Sequence, residues 1–224
     1  MVECLLRRSK DLVAINKVAG KWGTALQAAI NGDKNPYDTV QLLLDNGADP
    51  SIVGGWHGTP LNAAAFRHQY DVAKLLLQHL PSDKIDLVGG RYGTPIQAAV
   101  SGSWNASDYP DYREVLRMVD LLLEHDASPI LRGGRYETAL HAAASQAHIE
   151  VAKRLLEQPG VSIDWTDQMG ATPTSHGGHA GGLGDGPTPF QLDKYNPHSG
   201  QNRPQCSSFC RWKRIFFRSP PHFK

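Results

Sequence analysis

Gly89-Gly-Arg-Tyr-Gly-Thr-Pro-Ile-Gln-Ala-Ala99 decides the fold. The Gly-Gly pair supplies a tight extended turn that no other residue type makes so cheaply. Thr94 is a good N-cap, because its hydroxyl accepts a hydrogen bond from an orphan N–H of the first helical turn. Pro95 follows at the first helical position, where a missing N–H costs nothing. The small alanines then let a short helix lie close to its neighbours. The same pattern recurs as Ala19-Gly-Lys-Trp-Gly-Thr-Ala-Leu-Gln-Ala-Ala29, Gly54-Gly-Trp-His-Gly-Thr-Pro-Leu-Asn-Ala-Ala64 and Gly133-Gly-Arg-Tyr-Glu-Thr-Ala-Leu-His-Ala-Ala143. Thr24, Thr59, Thr94 and Thr138 are spaced by 35, 35 and 44 residues, and Thr172 in Gly170-Ala-Thr-Pro173 lies 34 further on. Self-similarity at such a period is the mark of a repeat architecture.

Each unit has a second half. Val40-Gln-Leu-Leu-Leu-Asp-Asn-Gly-Ala-Asp49, Val72-Ala-Lys-Leu-Leu-Leu77, Val119-Asp-Leu-Leu-Leu-Glu-His-Asp-Ala127 and Val151-Ala-Lys-Arg-Leu-Leu156 place apolar residues at helical spacing. Gly47 falls where a helix C-terminus favours a left-handed residue, and Asp126 takes that place in the third unit, a residue that tolerates the conformation. Val2-Glu-Cys-Leu-Leu6 reads as the end of an earlier unit. The 44-residue spacing comes from an insertion, roughly Ser101 to Tyr112, between the halves of the third unit.

Gly-Thr-Pro-Leu-x-Ala-Ala followed by Val-x-x-Leu-Leu-Leu-x-x-Gly-Ala-Asp resembles the ankyrin repeat. The Gly-Gly-x-Tyr-Gly-Thr-Ala-Leu-x-Ala-Ala variant is similar to arrays common in fungal proteins, often at the C-terminal end of large NTPase-type signalling receptors. The resemblance covers about residues 1 to 172 and rests on four recurrences in phase. It implies an all-α solenoid of helix pairs with hairpin tips along one edge, each unit touching only its neighbours. The expected organisation is a partial N-terminal repeat over 1–18, then four repeats and the start of a fifth over 19–172. The sequence departs from the family in one box: the usual His survives only as His141, with Gln27, Asn62 and Gln97 in the other units.

Residues 173–224 do not follow the period. They hold 7 Gly and 7 Pro but only three of Leu, Ile or Val, too few to bury a core, so the sequence predicts a disordered tail there. An array that stops without a polar capping helix also predicts that the chain is a fragment of a longer one. The end of the tail, Arg203 to Lys224, carries six basic residues and no acidic one, and Arg211-Trp-Lys-Arg-Ile-Phe-Phe-Arg218 interleaves cations with aromatics. Such a segment offers an alternative function, tethering the chain to nucleic acid or an anionic membrane surface.

Composition narrows the classes. In 224 residues, 23 basic side chains stand against 22 acidic, so the net charge of +1 excludes a strongly basic nucleic-acid binder and an acidic disordered chain as whole-protein readings. Three cysteines, Cys4, Cys206 and Cys210, cannot make a disulfide framework. No apolar run approaches the roughly 18 residues of a membrane helix, and no secretory h-region follows the N-terminal charges. The expectation is an intracellular monomer, cytoplasmic or nuclear. Asn105-Ala-Ser107 matches a glycosylation sequon that such a setting leaves unused.

The residues also say little for catalysis. There is no P-loop, no Gly-x-Ser-x-Gly and no His-Glu-x-x-His. Carboxylates such as Asp45, Asp49 and Glu124 fall at helix ends and turns, in solvated or capping places. His176, His179, Cys206 and Cys210 lack the tight paired spacing of zinc ligands. The expectation is therefore no enzyme, no cofactor and no metal.

Binding is the better reading. Two positions before the threonines stand Trp22, His57, Tyr92 and Tyr136; three before stand Lys21, Trp56, Arg91 and Arg135. The resemblance puts both columns on the hairpin tips, and Trp, Tyr and Arg are enriched at interface hot spots. A plainer reading has each aromatic packed on the neighbouring tip. The insertion adds Trp104, Tyr109 and Tyr112 with Asp108 and Asp111. The expected function is a non-enzymatic scaffold that binds a protein partner through tips and concave helix face.

Overall fold

The structure is a computed structural model that describes residues 15–32, 35–102 and 112–176. The expectations for residues 1–14, for the insertion residues Trp104, Asp108, Tyr109 and Asp111, and for the tail beyond His176 lie outside the described residues.

Each unit begins as the sequence predicts. The Thr59 hydroxyl accepts from Asn62 N (3.0 Å), that of Thr94 from Gln97 N (3.3 Å) and that of Thr138 from His141 N (3.3 Å). With the Thr24 hydroxyl accepting from Gln27 N (3.4 Å), these caps open the first helices of the units: α1 (Ala25–Gly32), α3 (Pro60–Phe66), α5 (Pro95–Ser101) and α7 (Ala139–Ser145). The second helices are α2 (Tyr37–Asp45), α4 (Tyr70–His79), α6 (Tyr112–Glu124) and α8 (Ile149–Leu156). A short 3-10 turn, Ser82–Lys84, follows α4. Extended pairing among the described residues is confined to one bridge per hairpin, at Ala19–Gly23, Gly54–Gly58, Gly89–Gly93 and Gly133–Glu137.

First helices pack on first helices, α1 on α3, α3 on α5 and α5 on α7, and second helices form a parallel row from α2 through α4 and α6 to α8. Between the rows lies one continuous core. Leu26, Ile30, Leu61, Ile96 and Leu140 enter it from the first helices; Val40, Leu76, Leu122 and Leu155 enter from the second. Full burial of each such side chain contributes about 1.5–3 kcal/mol. Alanines such as Ala63, Ala98 and Ala142 are wholly buried, which explains the small residues: they set the distance between adjacent first helices.

Gly47 (φ +85°) and Asp126 (φ +63°) take the left-handed conformation that their place after α2 and α6 demands. Three further non-glycine residues adopt it: His68 (φ +50°) and Ala147 (φ +55°) in the turns after α3 and α7, which the sequence pattern does not announce, and Glu137 (φ +63°) in the fourth hairpin, where the other three have glycine.

Two boundaries move. The insertion is narrower than expected, because Ser101 still belongs to α5 and Tyr112 already belongs to α6. Ser101 stays helical with its hydroxyl bonded to Gln97 O (2.7 Å). Order also continues past residue 172, where the tail was expected to begin. Pro173–His176 form a short helix, α9, that packs on α7, with Pro173 buried. Proline at the first helical position is compatible with that turn.

Candidate functional site

The hairpins make the candidate surface, and a glycine pair in the second, third and fourth makes each fit against the one before. A Cβ on Gly54 would lie 2.7 Å from Val18 Cγ1 of the preceding unit, and one on Gly55 would lie 2.6 Å from Gly23 N. The first glycine of the pair thus makes room for a valine, and the second, at φ +64°, lets two backbones meet. Val53 over Gly89 and Val88 over Gly133 repeat the arrangement.

Because the backbones meet, the tips bond to one another. Trp56 N donates to Lys21 O (2.8 Å), Arg91 N to Trp56 O (3.0 Å) and Arg135 N to Arg91 O (2.9 Å). The column read three positions before the threonines is therefore a hydrogen-bonded ladder. Its four side chains all face solvent, and Trp56 is 50% exposed.

Behind the ladder stands the box in which the sequence departs from the family. Gln27 Nε2 donates to Gly54 O (2.9 Å) and Gly58 O (2.8 Å) of the next hairpin, while its Oε1 accepts from Thr24 N (2.8 Å). Gln97 does the same, donating to Leu131 O (3.0 Å) and Glu137 O (2.7 Å) and accepting from Thr94 N (3.1 Å). One buried amide thus closes its own capping box and fastens the following hairpin. Asn62 is one methylene shorter. It reaches Gly93 O (2.8 Å) and, at 3.3 Å, Gly89 O, but its Oδ1 is left buried without a partner. His141 uses both ring nitrogens, against Thr138 Oγ1 (2.8 Å) and Ala171 O (3.1 Å).

The second column divides. Trp22 is 42% exposed, whereas His57 is turned inward and only 7% exposed. Tyr92 and Tyr136 are half-buried. Tyr92 stacks on Phe66 at 4.6 Å between ring centroids, and His57 lies against both rings. The Tyr136 hydroxyl accepts from Gln146 Nε2 (3.3 Å). So these aromatics largely brace one tip on the next, and the exposed rings are Trp22 and Trp56. Cations cover the rings: Lys21 Nζ lies 4.5 Å from the Trp22 ring, Arg91 lies 5.4 Å from Trp56 and Arg135 5.7 Å from Tyr136.

Electrostatically the two rows differ. In the four hairpins and first helices the charged residues are Lys21, Arg91 and Arg135, all exposed, and Glu137, which is buried. Arg67 adds a further cation just past α3. The second helices carry both signs: the carboxylates Asp38, Asp45, Asp71, Glu114, Asp120, Glu124 and Glu150 lie there with Lys74, Arg113, Arg117, Lys153 and Arg154. Burial, with the Arg67 charge beside it, holds His57 down at about 4, so it is neutral at pH 7. Burial also raises the Tyr92 hydroxyl above its ordinary value.

Two linkages escape the sequence reading. Asn16 Oδ1 accepts from Asp49 N (2.8 Å), and Asp86, at the equivalent place two units on, accepts from Ser128 N (2.9 and 3.1 Å). Only their equal distance ahead of Thr24 and Thr94 hints at them. The fifth hairpin also escapes: lacking a glycine pair, it is organised by Asp167, whose Oδ1 accepts from Met169 N (2.9 Å) and Ala171 N (2.7 Å).

Among the described residues no three His, Cys, Asp or Glu side chains gather as a metal site, and no helix is long and apolar enough to cross a membrane.

Comparison with known proteins agrees with this geometry. Residues 25–77 match the family described as ankyrin repeats (many copies), and residues 135–168 match the single ankyrin repeat. The ankyrin repeat domain-containing protein SAT10 of Stachybotrys chartarum is 31% identical over 172 residues, 75% of this chain. The chain spans only 9% of that relative's length. Repeats of this kind generally mediate protein–protein interaction and are typically not enzymes. Stacked helix pairs, bonded hairpin tips and these matches together identify the chain as an ankyrin-repeat protein.

Proposed function

We propose that this chain is a non-enzymatic scaffold that binds a protein partner along its hairpin tips and the adjoining face of its first helices. The observation that carries the reading is the backbone ladder through Lys21, Trp56, Arg91 and Arg135. It holds exposed aromatic and guanidinium groups in a fixed row before any partner arrives, so little ordering cost falls on binding. Tyr92 and Tyr136 add the half-buried rings beside that row. The reading takes the chain as a monomer working in the cytoplasm or nucleus; three cysteines, too few for a disulfide framework, support the location.

The test starts from a partner captured by the full chain and identified. Alanine at Trp56, Arg91 and Arg135 together should weaken that complex by at least about tenfold, the scale of one lost hot spot, and leave the helical circular dichroism spectrum as it was. Unchanged affinity in the triple variant would remove the tips from the binding surface.

A further inference from the structure

Each junction between units has a corner, below two neighbouring tips and at the C-terminal end of a first helix. At the junction of the second and third units, Phe66 fills that corner and Tyr92 stacks on it. At the junction of the first and second units the equivalent residue is Asn31, whose side chain turns back to Gln27 O (2.8 Å). The corner is consequently open. A cavity of about 320 Å³ remains, lined by Lys21, Trp22, Trp56, Phe66 and Arg67 with His57 and Asn31. That volume is at the small end of ligand sites and suits one large side chain rather than a whole cofactor.

The lining has a definite chemistry. Its walls are the two most exposed tip rings and Phe66. Among the described residues its charged members are cations, Lys21 and Arg67, with no carboxylate. Arg67 Nε and His57 Nδ1 are buried there without hydrogen-bond partners. Leaving a guanidinium N–H unpaired is costly, and a ligand acceptor that reaches Arg67 relieves it. Beyond the corner the ladder continues with Arg91 and Arg135.

We infer that the open corner takes a large apolar side chain, preferably aromatic, from an acidic segment of a partner protein, with a neighbouring carboxylate accepting from Arg67 and Lys21 and further acids following the ladder to Arg91 and Arg135. The inference rests on the protein-binding reading above and names the chemistry of the partner. One cation per unit on a chain of net charge +1 suits carboxylates spaced along an extended peptide. A nucleic-acid backbone, with a charge at every nucleotide, calls for a denser positive field.

The test uses the full chain and three synthetic dodecapeptides with Gly/Ser flanks. One has a Glu-Glu-Phe-Glu-Glu centre, one replaces the glutamates with lysine and one replaces the phenylalanine with glycine. Anisotropy of the labelled peptides and tryptophan fluorescence report binding. The acidic phenylalanine peptide should bind saturably, and each control at least about tenfold more weakly, the factor expected for losing one charge-assisted bond or one buried ring. Asn31→Phe should abolish binding without lowering the unfolding midpoint, because it copies the filled corner of the next unit. Arg67→Gln should weaken binding about tenfold at unchanged stability. Equal binding of the lysine peptide, unchanged binding by Asn31→Phe, or no saturable signal at millimolar peptide would each overturn the proposal. The broader reading fails separately: peptides selected without bias against the full chain would then bind regardless of alanine at Trp56, Arg91 and Arg135. Binding of oligo-dT that Asn31→Phe removes would reassign the corner to nucleic acid and overturn the peptide assignment.

Discussion

The hairpin side and the second-helix side of this array are built from the same units but held together differently. On the hairpin side neighbouring units share short, directional bonds: tip to tip through the backbone, and, buried or part-buried, Gln27, Asn62, Gln97 and His141 to the carbonyls of the hairpin ahead. On the second-helix side they share apolar packing and half-exposed ion pairs such as Arg154 to Asp120 (2.7 Å). A directional buried bond fixes position and penalises any misfit, whereas apolar packing tolerates small slides. The side that presents side chains to a partner is therefore the side whose geometry is fixed most tightly.

The comparison breaks most easily at Gly58. A Cβ there would lie 2.2 Å from the Gly89 carbonyl carbon, at φ +86°, so Gly58→Ala should cost about 4 kcal/mol. Urea unfolding would show it, and a loss under 1 kcal/mol would mean that the hairpins are not locked. Gln97→Ala should cost about 3 kcal/mol, because it removes both bonds to Leu131 O and Glu137 O of the next unit, leaves a cavity and opens its own cap. The same measurement checks it.

Acid should act on the hairpin side and on the turn after α7 together. His57 is held at about 4 by burial and the Arg67 charge, and His148 at about 4 by burial and the charge of His68. Both lie below the ordinary 6.5, so the unfolded chain takes up protons first. Their contribution is whole above pH 6.5, shrinks as pH falls and is lost below about 4. Replacing both with glutamine should flatten the fall in urea midpoint between pH 7 and pH 4.5; an unaltered fall would place the acid sensitivity elsewhere.

Asn62→Gln sharpens the contrast from the other direction. The added methylene lets the amide oxygen reach Thr59 N, as Gln27 and Gln97 reach their own threonines, and should stabilise by about 1 kcal/mol. A calorimetric melting temperature that falls would show the second hairpin to be too close for the longer side chain. The smallest effect belongs to the second-helix side: Arg154→Ala should cost no more than about 0.5 kcal/mol, since its ion pairs are part-exposed. A larger loss would erase the distinction between the two sides.

Much of this architecture was legible in the sequence because it is local. Thr59-Pro60 and Thr94-Pro95 state a cap and a first turn within a few residues, and the valine–leucine stretches state a helix face. Gly47 and Asp126 state helix ends. The columns at Trp56, Arg91 and Arg135 were legible as a periodic surface. The division of the other column was not: Trp22 and His57 occupy the same place in the repeat, yet one is exposed and the other buried. What decides it is Phe66 and Tyr92, nine and thirty-five positions away from His57 and contributed by two different units.

The sequence by itself determined the unit, its number of clear recurrences, its capping chemistry and which residue types sit on the tips, since each follows from bonds closed within one turn or from a simple period. Only the tertiary structure decided that Gln27 and Gln97 fasten the next hairpin, that Asp86 holds Ser128, and that Asn31 leaves a corner open where Phe66 closes it. Those facts join residues about thirty positions apart or more, or depend on what a neighbouring unit contributes. No local pattern encodes them, because their energies exist only once the units are stacked.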